Sequence, residues 1–128
     1  MIAGLATLAQ WPEARPLIAE SVERDDAVTM ADVEEALNAN LAQLWTVRDD
    51  GLVLAAVTQL LALKGGRQAY VWQMGGDFER GGEVLIAAFL DWARAGGCVS
   101  AELNGRQGWP RKLPDWQMVS VTLRKVLQ

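Results

Sequence analysis

The chain has 128 residues and a mass of 14.0 kDa, which suits one domain with one hydrophobic core. Its formal net charge of -4 at pH 7 argues against a nucleic-acid partner, because binding to phosphate backbones needs a basic surface. Histidine is absent and Cys98 is the single cysteine, which excludes histidine-activated nucleophiles and an internal disulfide. A metal site would need carboxylates alone, and no carboxylate spacing favours one.

The first ten residues, MIAGLATLAQ, are apolar but lack the basic start of a secretory signal. They are also far shorter than the ~20 residues that cross a bilayer, so we expect no membrane segment and a cytosolic location. From Trp11 to Val22 apolar residues recur at helical spacing, with Pro12 and Pro16 tolerable only at or before the first turn. A second helix is predicted from about Thr29, which forms a capping-box pattern with Asp32, to the early forties.

The pattern then changes to that of strands. LWTVR (44–48) and LVLAAVTQLLAL (52–63) flank an Asp-Asp-Gly turn and predict a hairpin, because Asp-Gly supplies the positive φ that a tight turn needs. The second arm is nearly all apolar, which is typical of a central strand covered on both faces, although a buried helix has the same pattern. RQAYVWQM (67–74) predicts a third strand that ends at Gly75-Gly76.

The strongest predicted helix follows this strand. Val84, Leu85, Ala88 and Phe89 share one face, and Gly96-Gly97 ends the helix. CVSAEL (98–103) predicts a strand directly afterwards, so strand, helix and strand form a βαβ unit. Residues 105–116 predict an irregular segment, and QMVSVTLRKVL (117–127) alternates as a last strand.

This order of elements is that of the GNAT superfamily of acyl-CoA-dependent acyltransferases, which the chain resembles over nearly its whole length. Three stretches, AQLWTVRDDGLVLAAVTQL, WARAGGC and NGRQGWPRKL, are more specifically similar to small acetyltransferase-like proteins encoded by bacteriophages and prophages. The resemblance implies a single domain over residues 1–128 with a three-layer α+β fold. Its sheet would be mixed and mostly antiparallel, with one βαβ crossover and two N-terminal helices.

In that superfamily a loop of the pattern R/Q-x-x-G-x-G/A opens a helix and holds the acyl-CoA diphosphate on backbone N–H groups. The best frame here is Arg80-Gly81-Gly82-Glu83-Val84-Leu85, so the resemblance implies Arg80, Gly81, Gly82 and Glu83 as cofactor-binding residues. Glu83 and Leu85 depart from the pattern, and a second frame over residues 73–78 ends in Phe78. A carboxylate ~5 Å from a phosphate charge repels it by roughly 3 kcal/mol at an effective dielectric of about 20.

The same residues also suit an ordinary helix start. Asp77, Glu79 and Glu83 lie before or within the first turn, where acids complement the helix macrodipole, and the glycines then merely turn the chain. On this interpretation the protein has no cofactor. If the protein is an active enzyme, acetyl-CoA is expected instead.

Two further candidate sites follow from the sequence. The resemblance makes Glu102, at the end of a predicted strand, the candidate catalytic base, although a Glu there is also an ordinary solvated edge residue. The superfamily's thiolate-protonating tyrosine has no counterpart, since Tyr70 lies one strand too early. A cluster of basic and tryptophan side chains is the candidate partner-binding surface, unless its tryptophans plug the end of the sheet. Its members are Arg106, Trp109, Arg111, Lys112 and Trp116.

Two functions remain. The first is a catalytically degenerate, phage-encoded binding or virion-associated module, located in the bacterial host cytoplasm or the phage particle. Its partner would be a phage or host protein, or a second copy of the chain. The alternative is an active acyltransferase that moves an acetyl group from acetyl-CoA to an amine.

Overall fold

The computed structural model describes residues 1–103, 113–117, 125 and 127. In this part of the chain there are five strands: β1 (Ile2–Ala6), β2 (Gln43–Arg48), β3 (Leu52–Leu63), β4 (Gly66–Gly76) and β5 (Cys98–Leu103). The same residues contain three α-helices: α1 (Trp11–Glu23), α2 (Met30–Asn38) and α3 (Phe78–Ala95), with a short 3-10 helix over Leu8–Gln10 before α1.

The strands form one sheet in the order β1-β2-β3-β4-β5. The first four are antiparallel to their neighbours, whereas β4 and β5 are parallel and joined by α3. The predicted fold class is therefore confirmed: a mixed, mostly antiparallel sheet with one βαβ crossover and two N-terminal helices. The predicted last strand, 117–127, lies almost entirely outside the described residues.

Helices cover both faces of the sheet and produce three layers. Successive side chains of a strand point to opposite faces, so β3 contributes Leu54 and Ala56 to one hydrophobic cluster and Ala55 and Val57 to the other. The first cluster packs beneath α3, and the second packs beneath α1 and α2. The fully buried helical residues of these clusters include Ala14, Ile18, Val33, Leu85 and Phe89.

The central strand β3 is buried over only part of its length. Val53–Thr58 are buried, as predicted for a strand covered on both faces, but the hairpin of β3 and β4 then extends beyond the helices. Leu63, at its tip, is 50% exposed.

Local signals explain most boundaries. Thr29 and Asp32 form the predicted capping box, with Asp32 N–H donating to Thr29 Oγ1 and Thr29 N–H donating to Asp32 Oδ2. Helix α2 ends at Asn38, earlier than predicted, and Asn40 adopts the left-handed conformation with φ of 59° soon afterwards. Asp50 takes the same φ in the β2–β3 turn.

Two predictions at the N-terminus were wrong. Residues 2–6, not predicted as a strand, form β1 at the edge of the sheet, paired with β2 from Ile2↔Arg48 to Ala6↔Leu44. Pro16 lies inside α1 rather than at or before its first turn. Its missing N–H removes one helical hydrogen bond near the start of α1, and burial of Ala14 and Ile18 holds the helix in place.

Candidate functional site at the start of helix α3

The site that the resemblance implies lies where β4 ends and α3 begins. The last described pair between β4 and β5 is Val71↔Leu103, and β4 itself continues to Gly76. The register between β3 and β4 shifts at the same point, because Trp72 is an extra residue between the pairs Thr58↔Val71 and Val57↔Gln73. Such a bulge bends a strand and increases its twist, so the direction of β4 changes shortly before α3 begins.

Helix α1 closes over the end of β4. A Cβ atom added to Gly75 would lie 1.8 Å from the main-chain oxygen of Leu17, so only glycine permits this approach. Gly76 has φ of 114° and packs against the main chain of Val53 and Leu54. The two glycines before α3 are therefore required by packing against the protein's own backbone.

The first turn of α3 contains its own anion. Asp77 is the N-cap, and its carboxylate Oδ1 accepts the N–H of Arg80 at 3.1 Å. The Asp77 N–H donates to Val53 O at 3.0 Å, and the Gly81 N–H begins the helical ladder by donating to Asp77 O at 3.0 Å. A carboxylate on the Arg80 N–H complements the helix dipole as a bound anion would.

The predicted frame Arg80–Glu83 lies inside α3 rather than in a loop before it. Gly81 is buried against Val47 and Val53, and Gly82 lies beneath the ring of Phe78, which a Cβ would approach to 2.6 Å. Both glycines thus fit a helix that packs closely at its start.

The charges of this frame point away from the helix start. The Arg80 guanidinium donates to Asp49 Oδ2 at 2.8 Å in an exposed ion pair with the β2–β3 turn. Glu83 is exposed on the outer surface of α3. Asp77, outside the frame, is therefore the acid that lies at the N–H groups.

A buried polar network at the end of β4 was not predicted. Gln73 is 3% exposed; its Oε1 accepts the Ser21 hydroxyl at 2.5 Å, and its Nε2 donates to Asp25 Oδ2 at 3.0 Å. The Met74 N–H donates to Ser21 Oγ at 3.3 Å. A glutamine within an apolar strand was the available signal, but its partners on and after α1 could not be read from spacing.

Glu102, the candidate base, lies on β5 opposite Tyr70 in the parallel register, one pair before Val71↔Leu103. Its Oε2 accepts the amide of Gln68 at 3.2 Å, and the side chain is partly exposed. The structure therefore places Glu102 beside the middle of β4, on a polar stretch that also includes Ser100, which accepts from Gln68.

The predicted partner-binding cluster lies mostly outside the described residues: Arg106, Trp109, Arg111 and Lys112. Trp116 belongs to the described segment 113–117, is partly buried, and donates its main-chain N–H to Leu113 O in a turn. Among the residues that the structure describes, no group of three or more His, Cys, Asp or Glu side chains could hold a metal ion. In the same part of the chain, no helix combines the length and apolarity that spanning a membrane requires.

No family model matches the sequence, and no curated protein is significantly similar to it. Solved structures, in contrast, match over nearly the whole chain. Ribosomal-protein-alanine N-acetyltransferase from Brucella melitensis biovar Abortus 2308 has a TM-score of 0.70 at 23% identity, over 98% of this chain and 100% of that chain. A predicted acetyltransferase from Clostridium acetobutylicum, solved with acetyl-CoA, has a TM-score of 0.68 at 11% identity, over 98% and 94%.

Glucosamine-6-phosphate N-acetyltransferase from Arabidopsis thaliana is a third such structure, with a TM-score of 0.70 at 10% identity over 98% of this chain and 97% of that chain. At these identities the similarity concerns the fold. The chain therefore has a GNAT-like N-acetyltransferase fold, and its chemistry must be argued from its own residues.

Proposed function

We propose that this protein is a non-catalytic binding module that has the acetyltransferase fold but does not use acyl-CoA. The observation that carries the proposal is the hydrogen bond from the Arg80 N–H to the Asp77 carboxylate. A diphosphate at the start of α3 would need such N–H groups as donors. Here a side chain of like charge already holds one of them.

The electrostatic cost is large enough to matter. At ~5 Å and an effective dielectric of about 20, one carboxylate repels each phosphate charge by roughly 3 kcal/mol before salt screening. Each 1.4 kcal/mol corresponds to about a tenfold loss of affinity, so this repulsion alone weakens binding more than a hundredfold. Arg80 offers little compensation because Asp49 already pairs with its guanidinium.

The neighbouring backbone supports the same proposal. The Met74 N–H, on the part of β4 that follows the bulge at Trp72, donates to Ser21 Oγ. The close approach of Leu17 to Gly75 places the main chain of α1 directly against the same segment. An extended ligand that needed main-chain donors here would have to displace α1.

Calorimetric titration with acetyl-CoA tests the proposal. We expect no binding by the wild-type protein and measurable binding by Asp77→Asn, because asparagine can still cap the helix but removes the charge. Asp91→Asn is the matched control: Asp91 is an exposed acid far along the same helix, paired with Arg94. Micromolar binding of acetyl-CoA by the wild-type protein would overturn the proposal.

We further propose that the protein is encoded by a bacteriophage and binds a phage or host protein through the segment that contains Arg106, Trp109, Arg111, Lys112 and Trp116. The support is the similarity of residues 42–60, 92–98 and 104–113 to phage-encoded acetyltransferase-like proteins. It would act in the host cytoplasm or in the particle. Mass spectrometry of purified particles separates these locations, since a virion component must copurify with the capsid.

An active acyltransferase is the second candidate. It is favoured by the parallel pair of β4 and β5, because ligands of open sheets bind at the carboxyl ends of parallel strands. In this case the amides of Arg80–Glu83 would hold acetyl-CoA and Glu102 would accept the proton of an amine. Release of free CoA from acetyl-CoA with a primary amine, abolished by Glu102→Gln, would establish this function.

A further inference from the structure

Strand β1 is an unprotected edge. Among the described residues, no strand pairs with its outer side. Natural edge strands usually carry charges, prolines or bulges that prevent pairing with another chain. In β1, Ile2 is 77% exposed and Leu5 is 53% exposed, and no charged side chain occurs before Glu13.

We propose that β1 pairs antiparallel with β1 of a second copy, so that two sheets join into one across a two-fold axis. Such an interface uses the same surface patch on both subunits and must be complementary to itself. In the register that pairs all five residues, Ile2 lies opposite Ala6, Leu5 lies opposite Ala3, and Gly4 lies opposite Gly4. Each bulky exposed side chain then meets a small one.

The surface beside β1 fits this register. Ala6 lines a groove of about 340 Å³, together with Leu37 of α2 and Leu44 of β2. Ile2 of the second copy would lie next to Ala6 on the same face of the sheet. Its apolar side chain would then cover the mouth of this groove. At the two-fold axis, a Cβ on Gly4 would meet no atom within 4 Å in one copy, so this position can carry a side chain on the face of the sheet.

The charge distribution also favours a second copy. Each chain carries a net charge of -4, which opposes association when acids face each other. No side chain of the edge is charged, and the ion pair next to it, Arg48 with Glu13, is neutral as a unit. Two copies can therefore meet at β1 without bringing unpaired acids together. The proposed dimer does not depend on whether the protein binds acyl-CoA.

Sedimentation velocity over a range of protein concentrations tests the pairing. We expect wild-type protein to shift with concentration from 14.0 kDa to twice that mass. Leu5→Lys should remain monomeric, whereas Leu63→Lys, which adds the same charge at another half-exposed leucine, should dimerise as the wild type does. When the Leu5→Lys and Leu5→Glu variants are mixed, the opposite charges at position 5 of the two copies would be diagonal neighbours across the axis. Mixing should therefore restore the dimer.

A cross-link tests the register. In a Cys98→Ser background, Gly4→Cys should form a disulfide-linked dimer under mild oxidation, because the two Gly4 residues face each other at the axis. Leu63→Cys is the control and should form much less disulfide-linked dimer. A wild-type protein that stays at 14.0 kDa at every concentration, or a dimer unaffected by Leu5→Lys, would overturn the proposal.

Discussion

The start of helix α3 and the outer edge of β1 are two places where this protein could offer backbone groups to another molecule. At α3 the chain satisfies its own donors: Asp77 accepts from Arg80, and Ser21 accepts from Met74. At β1 the described residues leave the outer side of the strand without a strand partner. The fold is that of an acetyltransferase, yet among the described residues it is the outer edge of β1, rather than the start of α3, that has main-chain groups without a partner strand.

Glycines show the same difference between the two regions. Gly75 is enclosed, with the main-chain oxygen of Leu17 in the position that a Cβ would need. Gly4 is open, with no atom within 4 Å of that position. A glycine near a helix start is therefore no evidence of a ligand loop when packing alone demands it.

Substituting these glycines should give the largest effect. We expect Gly75→Ala to lower the free energy of unfolding by about 3 kcal/mol or more, because α1 must move away from β4. Gly4→Ala, the control, should leave it unchanged or raise it by up to about 1 kcal/mol, since alanine is less flexible in the unfolded chain. Urea unfolding measures both values. Equal stabilities of the two variants would show that α1 does not pack on β4 as described.

A smaller loss is expected when the donors at the end of β4 lose their partner. Ser21→Ala removes the acceptor of the Met74 N–H and the donor to Gln73, leaving buried polar groups unpaired at a cost of about 1–3 kcal/mol. Ser100→Ala should change stability by less than about 0.5 kcal/mol, because its hydroxyl bonds Gln68 at an exposed position. Thermal or urea unfolding distinguishes the two. If Ser21→Ala did not change the free energy of unfolding, the donors at this end of β4 would not need Ser21 as a partner.

Most elements could be predicted from the sequence because their signals are local. The period of apolar residues identifies α1 and α3, and the Thr29-Asp32 capping box identifies the start of α2. Strand β1 gave no such signal: Ala3, Gly4 and Ala6 are small, and an edge strand of five residues shows almost no alternation. It exists because β2 offers it a partner some forty residues later in the chain.

The candidate site was harder to predict for the same reason. The sequence indicated Asp77, Glu79 and Glu83 as acids at the start of α3 and predicted the repulsion of phosphate from Glu83, but the structure exposes Glu83, and Asp77 accepts the Arg80 N–H. Ser21 and Gln73 are 52 residues apart, so no spacing rule connects them. Which side chain satisfies a given donor depends on tertiary packing, and the sequence lists only the candidates.

The smallest expected effect is on the pH dependence of stability, through the ion pair of Glu13 and Arg48 beside β1. Arg48 is the partner of Ile2 in the sheet, and its terminal nitrogens Nη1 and Nη2 each donate to the Glu13 carboxylate at 2.9 Å. This hydrogen bonding lowers the pKa of Glu13 below its ordinary value of 4.5. A carboxyl whose pKa is lower in the folded state contributes stability above its unfolded pKa, and that contribution disappears as the pH falls through the folded value.

Glu13→Gln should therefore be slightly less stable than the wild type at pH 7, and the difference should vanish below the lowered pKa, where both side chains are neutral. The effect is small because both partners are exposed and solvent screens the pair. Unfolding at several pH values measures it, with Glu20→Gln, an exposed acid elsewhere on α1, as the control. If the difference persisted at low pH, the side chain would act by packing rather than by charge. In that case the Glu13–Arg48 contact beside β1 would not make stability depend on pH. The difference between β1 and the start of α3, which the Asp77 carboxylate caps, would then be larger.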